Sequence, residues 1–600
     1  MNNSEVWSTR TFGNDDRLPR VPLPTLEESC ERFVEWCAPL LTAAELAVTE
    51  AAVEDFLKAD SPARTLHAAL EQYNARDDVR SWLDLFWPTR YLGRRDRIAL
   101  NANFFFLFQD SEQTQEQRAA GLIAAAVAYK VQLDAEAIPP ILQRGTPQSM
   151  VQNKYLFSAT RIPHPQQDTV RTPYSAEQPG PSQARHIVVF FRGNAFRMDV
   201  FGADGTPHDL ADLTGGLQAI MKAGSERAET PAGHLTTKAR AEWAASRQAL
   251  LADNAEALDT IETALFCLAL EDFAPADTLA ACDQLLHGDS GNRWFDKAVT
   301  LIVFADGRAG INVEHCELDG TTILSFVDTM LGSPAEEHVR LSGATSQGLP
   351  ATEPIEFTLT DEQRDDVRAA AGAFAQYAAD TATTTLSFSD FGRNRAKQLR
   401  MSPDGFVQMA YQLAHNRAKG LVGATYESIA TRQYQNGRTE AMRVVTPEVL
   451  TFVSTMDDPA ADAATRRAAL RAGANKHVER AKDSQAGAVP EQHLWELQLI
   501  QKRRGGELGA TGPLALYDTP GWLKMRDDYL STSSAPSEHI QYFGFGATSQ
   551  KCIGIAYVLL PDRFNIYLST PRAVADQMYL FADKLTEAVR ELQELLAGED

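Results

Sequence analysis

The sequence predicts a large mixed α/β protein, and three observations carry that prediction. Runs rich in β-branched, aliphatic and aromatic residues at 187–191, 301–304 and 311–313 read as strands, the last two joined by an Asp306-Gly307 turn. Helical apolar spacing alternates with these runs, as in a sheet flanked by helices. Hydrophobic residues make up 44% and charged residues 23% of the 600, which excludes collagen-like, fibrous and wholly disordered chains. At about 150 residues per domain, the length corresponds to roughly four domains or two large ones.

The elements follow in chain order. Residues 18–24 contain Pro19, Pro22 and Pro24, too many for a helix, and apolar periodicity starts only at Leu26, Phe33, Leu40 and Leu41. An extended lead-in followed by helices is expected. The longest apolar run, 119–129, is far short of the roughly 20 residues that span a bilayer. Lys130 closes it, so it reads as a buried helix, with no membrane span. Residues 169–185 and 332–354, rich in Pro, Ser, Gly, Gln and Glu, read as surface loops. Residues 361–379 read as helix, and 542–545, 553–560 and 564–568 as strands.

Net charge is −23, from 57 basic and 80 acidic residues, so phosphate backbones and anionic lipid are repelled and general nucleic-acid binding is excluded. The six cysteines show no CxxC and no metal-type spacing. No disulfide framework and no metal are expected. The start lacks a basic segment followed by an apolar one, and the end is no recognised address. A reducing, cytoplasmic setting follows.

Four segments carry candidate chemistry. In Glu314-His315-Cys316-Glu317-Leu318-Asp319-Gly320, strand alternation puts Ile311, Val313 and His315 on one face, with Thr321 and Thr322 positioned to cap a following helix. A histidine between a strand end and a helix start suits a general base, because its pKa lies near neutrality. Cys316 would point to the opposite face, which disfavours a thiol nucleophile there. From Gly392 to Met401 there are four cations and no acid, then Ser402 and Pro403 as N-cap and first residue of a helix. That is either an anion site or a solvated basic loop. Tyr426 and Ser428 would share a strand face, as would Ser531 and Ser533, offering hydroxyls to a small polar acceptor or an oxyanion. A plain polar strand and a Ser-rich loop are the alternatives.

Together and in this order, these segments resemble the choline/carnitine O-acyltransferase family. The resemblance spans nearly the whole chain and includes Ser81-Trp82-Leu83, Tyr129-Lys130-Val131, Asn153-Lys154-Tyr155, Arg161-Ile162-Pro163, Asn292 to Lys297 and Gly437-Arg438-Thr439. It implies two topologically similar α/β domains of the CoA-dependent acyltransferase fold with an active-site tunnel between them. The catalytic domain would be 83–358, and the second would combine 1–82 with 359–600.

The resemblance further implies reversible acyl transfer from acyl-CoA to the hydroxyl of carnitine or a similar small alcohol, by a monomer without an acyl-enzyme. His315 would be the base and Ser533 the oxyanion donor, with Asp319 paired to Arg438 as structural support. Arg393, Lys397, Arg400, Ser402 and Asp404 would hold CoA. Tyr426, Ser428, Thr439, Gln492 and Ser531 would line the acceptor site. Carnitine users carry Arg directly before the histidine of an Asp-Arg-His-Leu stretch, whereas this chain reads Glu491-Gln492-His493-Leu494. Choline, another amino alcohol or an amine is therefore an alternative acceptor. Ser534 departs from a usual CoA-contacting Gln, and Gln541 near the acyl gate favours short chains. A non-catalytic acyl-CoA binder is the alternative of a different class.

Overall fold

The computed structural model describes residues 7–598. Met1–Val6, at the centre of the argument against an export signal, and Glu599–Asp600 lie outside them. No described helix is long and apolar enough to cross a membrane.

The chain divides into two units. The first holds the described residues up to Arg17, with Pro88–Thr385 and Ala535–Gly546; the second holds Leu18–Trp87, Leu386–Ser534 and the described residues from Ala547 onward. This differs from the expected 83–358 boundary. Helix Asp361–Ala379 stays with the first unit because Asp366 pairs with Lys238 and the Phe374 ring packs 5.9 Å from Phe295. Strand Ile540–Phe545 returns to it by pairing with Asn103–Phe108. Local pattern reports that a segment is a strand, not which sheet recruits it.

In the first unit eight strands run in the order Thr352–Ile355, Asn194–Asp199, His186–Phe191, Cys267–Leu270, Val299–Val303, Ala309–Glu314, Asn103–Phe108, Ile540–Phe545. Cys267–Leu270 is parallel to both neighbours, and a hairpin flanks it on each side. A second sheet has six strands in the order Thr439–Arg443, Thr425–Ala430, Leu530–Ser534, Ile553–Leu559, Phe564–Pro571, Thr381–Phe388, the first five within the second unit. The pattern repeats there: Leu530–Ser534 is parallel to both neighbours, and each neighbour forms an antiparallel pair on its outer side. Two units of one core topology are thus present, and the fold is mixed α/β.

Local chemistry accounts for the elements. Helix Gln115–Asp134 opens with a Thr114 and Gln117 capping box and buries the apolar run read from sequence. Gly307, at φ +85°, closes the turn between Val299–Val303 and Ala309–Glu314. The expected loop at 332–354 is only part loop. It contains helix Ala335–Ser342, ended by Gly343 at φ +69°, and the start of edge strand Thr352–Ile355. Only His338 of that helix is buried, so its composition reads as polar surface. Leu530–Ser534, where a Ser-rich loop was the alternative, is a strand, because both its neighbours pair with it in register.

Candidate active site

His315 directly follows strand Ala309–Glu314, every residue of which is buried, and its amide donates to the Ala102 carbonyl at 3.1 Å. The backbone is therefore fixed while the side chain keeps 30% exposure. The Tyr91 and Phe104 rings lie 5.0 and 5.3 Å from the imidazole. Its Nδ1 lies 2.6 Å from the Leu318 carbonyl oxygen. A carbonyl can only accept, so Nδ1 carries the proton and Nε2 carries the lone pair.

Asp319 Oδ1 stands 3.6 Å from that Nδ1. The expected Thr321 and Thr322 caps are corrected. Both lie inside helix Gly320–Leu331, and Asp319 holds the N-cap position without capping through its side chain. Its Oδ2 instead accepts from Gln152 Nε2 at 2.6 Å and its amide donates to Gln152 Oε1 at 2.9 Å, an oxygen that also accepts from the Thr322 hydroxyl at 2.7 Å. Gln152 carries no sequence signal, because a glutamine in a short helical turn reads as surface. Arg438, the expected partner of Asp319, belongs to the second unit, where its guanidinium lies 5.2 Å over the Trp87 ring. Burial and the charges of Glu314 and Glu317 push the Cys316 thiol well above its ordinary range, which keeps it un-ionised.

In the second unit, strand register decides what comes together. Tyr426 lies beside Ser531, and Ala430 opposite Thr439. Tyr426, Ser428, Thr439, Ser531 and Ser533 therefore share one sheet face. Arg443, opposite Tyr426, joins that face with its guanidinium 5.6 Å from the Tyr426 ring, and it pairs with Glu491 at 2.6 Å and Asp528 at 2.5 Å. No motif pointed to Arg443. Gln492 donates Nε2 to the Thr439 carbonyl at 2.9 Å, which leaves its buried Oε1 without a hydrogen-bond partner among the described residues. Its neighbour His493 sits in a buried chain, Nδ1 2.7 Å from the Ser29 hydroxyl and Nε2 3.0 Å from His67 Nδ1.

The basic segment forms helix Arg393–Gln398 rather than a loop. Lys397 and Arg400 are exposed and pair with no carboxylate among the described residues. Arg471, unmarked by any motif, reaches the Arg400 carbonyl at 3.1 Å. Ser402 accepts the Gly405 amide at 3.2 Å as N-cap of helix Pro403–Lys419.

In the first turn of that helix, Asp404 accepts the Tyr557 hydroxyl at 2.6 Å. His477 Nε2 lies 3.0 Å from Asp404 and 3.3 Å from Glu427. Burial pushes the Asp404 carboxyl up, but hydrogen bonds from His477 and Tyr557 outweigh it and hold it below the usual range. Glu427 is pushed well above that range by burial and by the charge of Asp404. The donor atoms of Asp404, Glu427 and His477 lie within 4.8 Å of one another, a spacing that a cation or a shared proton would satisfy.

Similarity to known proteins places the chain. It is 28% identical to human carnitine O-acetyltransferase, with 98% of this chain and 95% of that protein covered. The pigeon (Columba livia) carnitine O-acetyltransferase is 30% identical, with 97% and 94% covered. Rat mitochondrial carnitine O-palmitoyltransferase 2 is 29% identical, with 93% and 89% covered. Residues 21–587 match the family model for choline/carnitine O-acyltransferases. The chain belongs to the choline/carnitine O-acyltransferase family and is an acyltransferase.

Proposed function

We propose that the protein transfers an acyl group reversibly between acyl-CoA and the hydroxyl of carnitine or a carnitine-like small alcohol, with His315 as general base. The observation that carries this reading is the bond from His315 Nδ1–H to the Leu318 carbonyl, which assigns the lone pair to Nε2. In the forward direction Nε2 takes the acceptor hydroxyl proton as that oxygen attacks the thioester carbonyl carbon. The tetrahedral intermediate then expels the CoA thiolate, which receives the proton from the imidazolium. Ser533 Oγ donates to the oxyanion in this reading. The raised Cys316 thiol supports a direct transfer over a thiol acyl-enzyme.

CoA is read onto the second unit, where Arg393, Lys397 and Arg400 would meet its phosphates, with Ser402 and Asp404 at the adjoining helix start. The exposed Lys397 and Arg400, without carboxylate partners among the described residues, support this assignment. Tyr426, Ser428, Thr439, Gln492 and Ser531 are assigned to the acceptor.

Gln492 favours a second reading, in which the acceptor is choline, another amino alcohol or an amine. A neutral amide supplies no counter-charge to a carboxylate, and its buried Oε1 suits a donor instead. A monomer in a reducing, cytoplasmic setting completes the proposal, and six unbridged, buried cysteines support the redox part.

The test mixes purified protein with acetyl-CoA and, separately, carnitine, choline and a panel of amino alcohols, following free thiol with His315→Ala as control. Release that depends on both His315 and one acceptor supports the reading and identifies the acceptor. Acyl-CoA binding without release for any acceptor or acyl length points to a binder.

A further inference from the structure

Behind His315 lies a buried charge network that the transfer chemistry leaves unused. Its hub is Arg161, in strand Thr160–Ile162, with a side chain 0% exposed. Arg161 divides its guanidinium among three partners: Nε to Asp168 at 2.6 Å, Nη1 to Glu314 at 3.1 Å, and Nη2 to the Tyr91 carbonyl at 2.9 Å. Two of these partners adjoin His315, Glu314 in the chain and Tyr91 through its ring.

Glu314 immediately precedes His315, and its second carboxylate oxygen accepts the Cys316 amide at 3.1 Å. One side chain thus clamps the backbone on both flanks of the histidine. Tyr91, whose carbonyl Arg161 holds, carries the ring that lies 5.0 Å from the imidazole. Close packing is incomplete here. A cavity of about 10 Å³, lined by Arg161, Glu314, Cys316 and Leu318 among others, lies behind the segment whose Leu318 carbonyl orients the ring. With space for one water behind that segment, directed bonds hold it in place.

The network is also balanced in charge. Arg95 and Arg240 join Arg161 on Asp168, and Arg240 reaches Asp296 at 2.8 Å. Three guanidiniums therefore meet three carboxylates, counting Glu314. Removing either member of the Arg161 to Glu314 pair would place an uncompensated charge next to the imidazole, of opposite sign in the two cases.

We propose that Arg161 is a positioning residue for His315, holding the imidazole through Glu314 on one side and the Tyr91 backbone on the other. The proposal rests on His315 as the base. Three variants test it, each first checked for wild-type elution and melting. Arg161→Lys keeps the charge but cannot hold three partners with a planar fork. It should lower kcat roughly 10²-fold, the usual consequence of a misplaced catalytic group, while leaving the KM values and the pH–rate profile in place. Arg161→Gln should lower kcat and move the acid limb of the profile to higher pH, because the unpaired Glu314 favours the imidazolium. Glu314→Gln should move that limb to lower pH.

A folded Arg161→Lys enzyme with kcat within twofold of wild type would overturn the proposal. So would limbs that shift in the same direction in the two Gln variants, a change confined to KM, or loss of fold in every variant, which would make Arg161 a stability residue only. Full activity of His315→Ala would instead overturn the base assignment, leaving these patterns without meaning.

Discussion

The two units share one core strand order and handle buried charge differently. In the first, the carboxylates of Asp168, Asp296 and Glu314 each meet a guanidinium within about 3 Å. In the second, Arg443 and Arg526 hold Glu491, but Glu427, Glu440 and Glu496 are buried carboxyls pushed above their usual range by desolvation. Guanidiniums oppose desolvation in the first, although burial still raises Asp296, whereas desolvation dominates at Glu427, Glu440 and Glu496. The first arrangement suits a unit that must hold one imidazole in a single tautomer and orientation. The second places the raised Glu427 and Glu440 on the sheet face opposite the one assigned to the acceptor.

The largest expected effect tests whether chemistry and binding divide between the units. His315→Ala should lower kcat/KM by about 10²–10⁴-fold with acyl-CoA binding retained, as read by single-turnover rates and by isothermal titration. Ser533→Ala comes next. Loss of one oxyanion donor costs roughly 2.7–4 kcal/mol in the barrier, and the rescuing Ser533→Thr variant should recover part of it.

A smaller effect sharpens the comparison from the binding side. The double variant Lys397→Ala, Arg400→Ala should raise the KM for acyl-CoA about tenfold with kcat little changed, and flatten its salt dependence. An unchanged KM would remove the CoA phosphates from this helix. Gln492→Arg should move acceptor preference toward carboxylate-bearing alcohols by about tenfold, measured as the ratio of kcat/KM for carnitine over choline.

The remaining effect concerns stability rather than turnover. Burial raises the Glu496 carboxyl to about 7 although Arg503 opposes it. The native state therefore holds this proton more tightly than the unfolded chain does. The stabilisation is complete below the unfolded carboxyl range and is lost as pH rises through about 7. Glu496→Gln should remove that slope, a difference on the order of 3 kcal/mol between pH 4 and pH 8. Denaturant midpoints at the two pH values would measure it, and equal slopes in both proteins would sink the assignment.

Much of the frame was legible beforehand, because it depends on local regularities. Continuous apolar runs marked 187–191, 301–304 and 553–560, and Ser402-Pro403 marked a helix start that Ser402 caps. His315 stood out because a strand end, a histidine and an Asp-Gly lie within a few residues. The extent of the basic helix Arg393–Gln398 and the helix Ala335–Ser342 were obscured by polar composition, since neither buries an apolar stripe.

The sequence by itself determined the strand and helix content, the charge balance, the family and the identity of its candidate base, since each is written in residue order or spacing. Only the tertiary structure decided which sheet takes Ile540–Phe545, that Gln152 holds Asp319, that Arg161 ties Glu314 to Tyr91, and that Gln492 turns its amide toward Thr439. The reason is separation along the chain. Gln152 and Asp319 are 167 residues apart, and Arg161 and Glu314 are 153 apart. A hydrogen bond across that span leaves no periodicity for a local pattern to register.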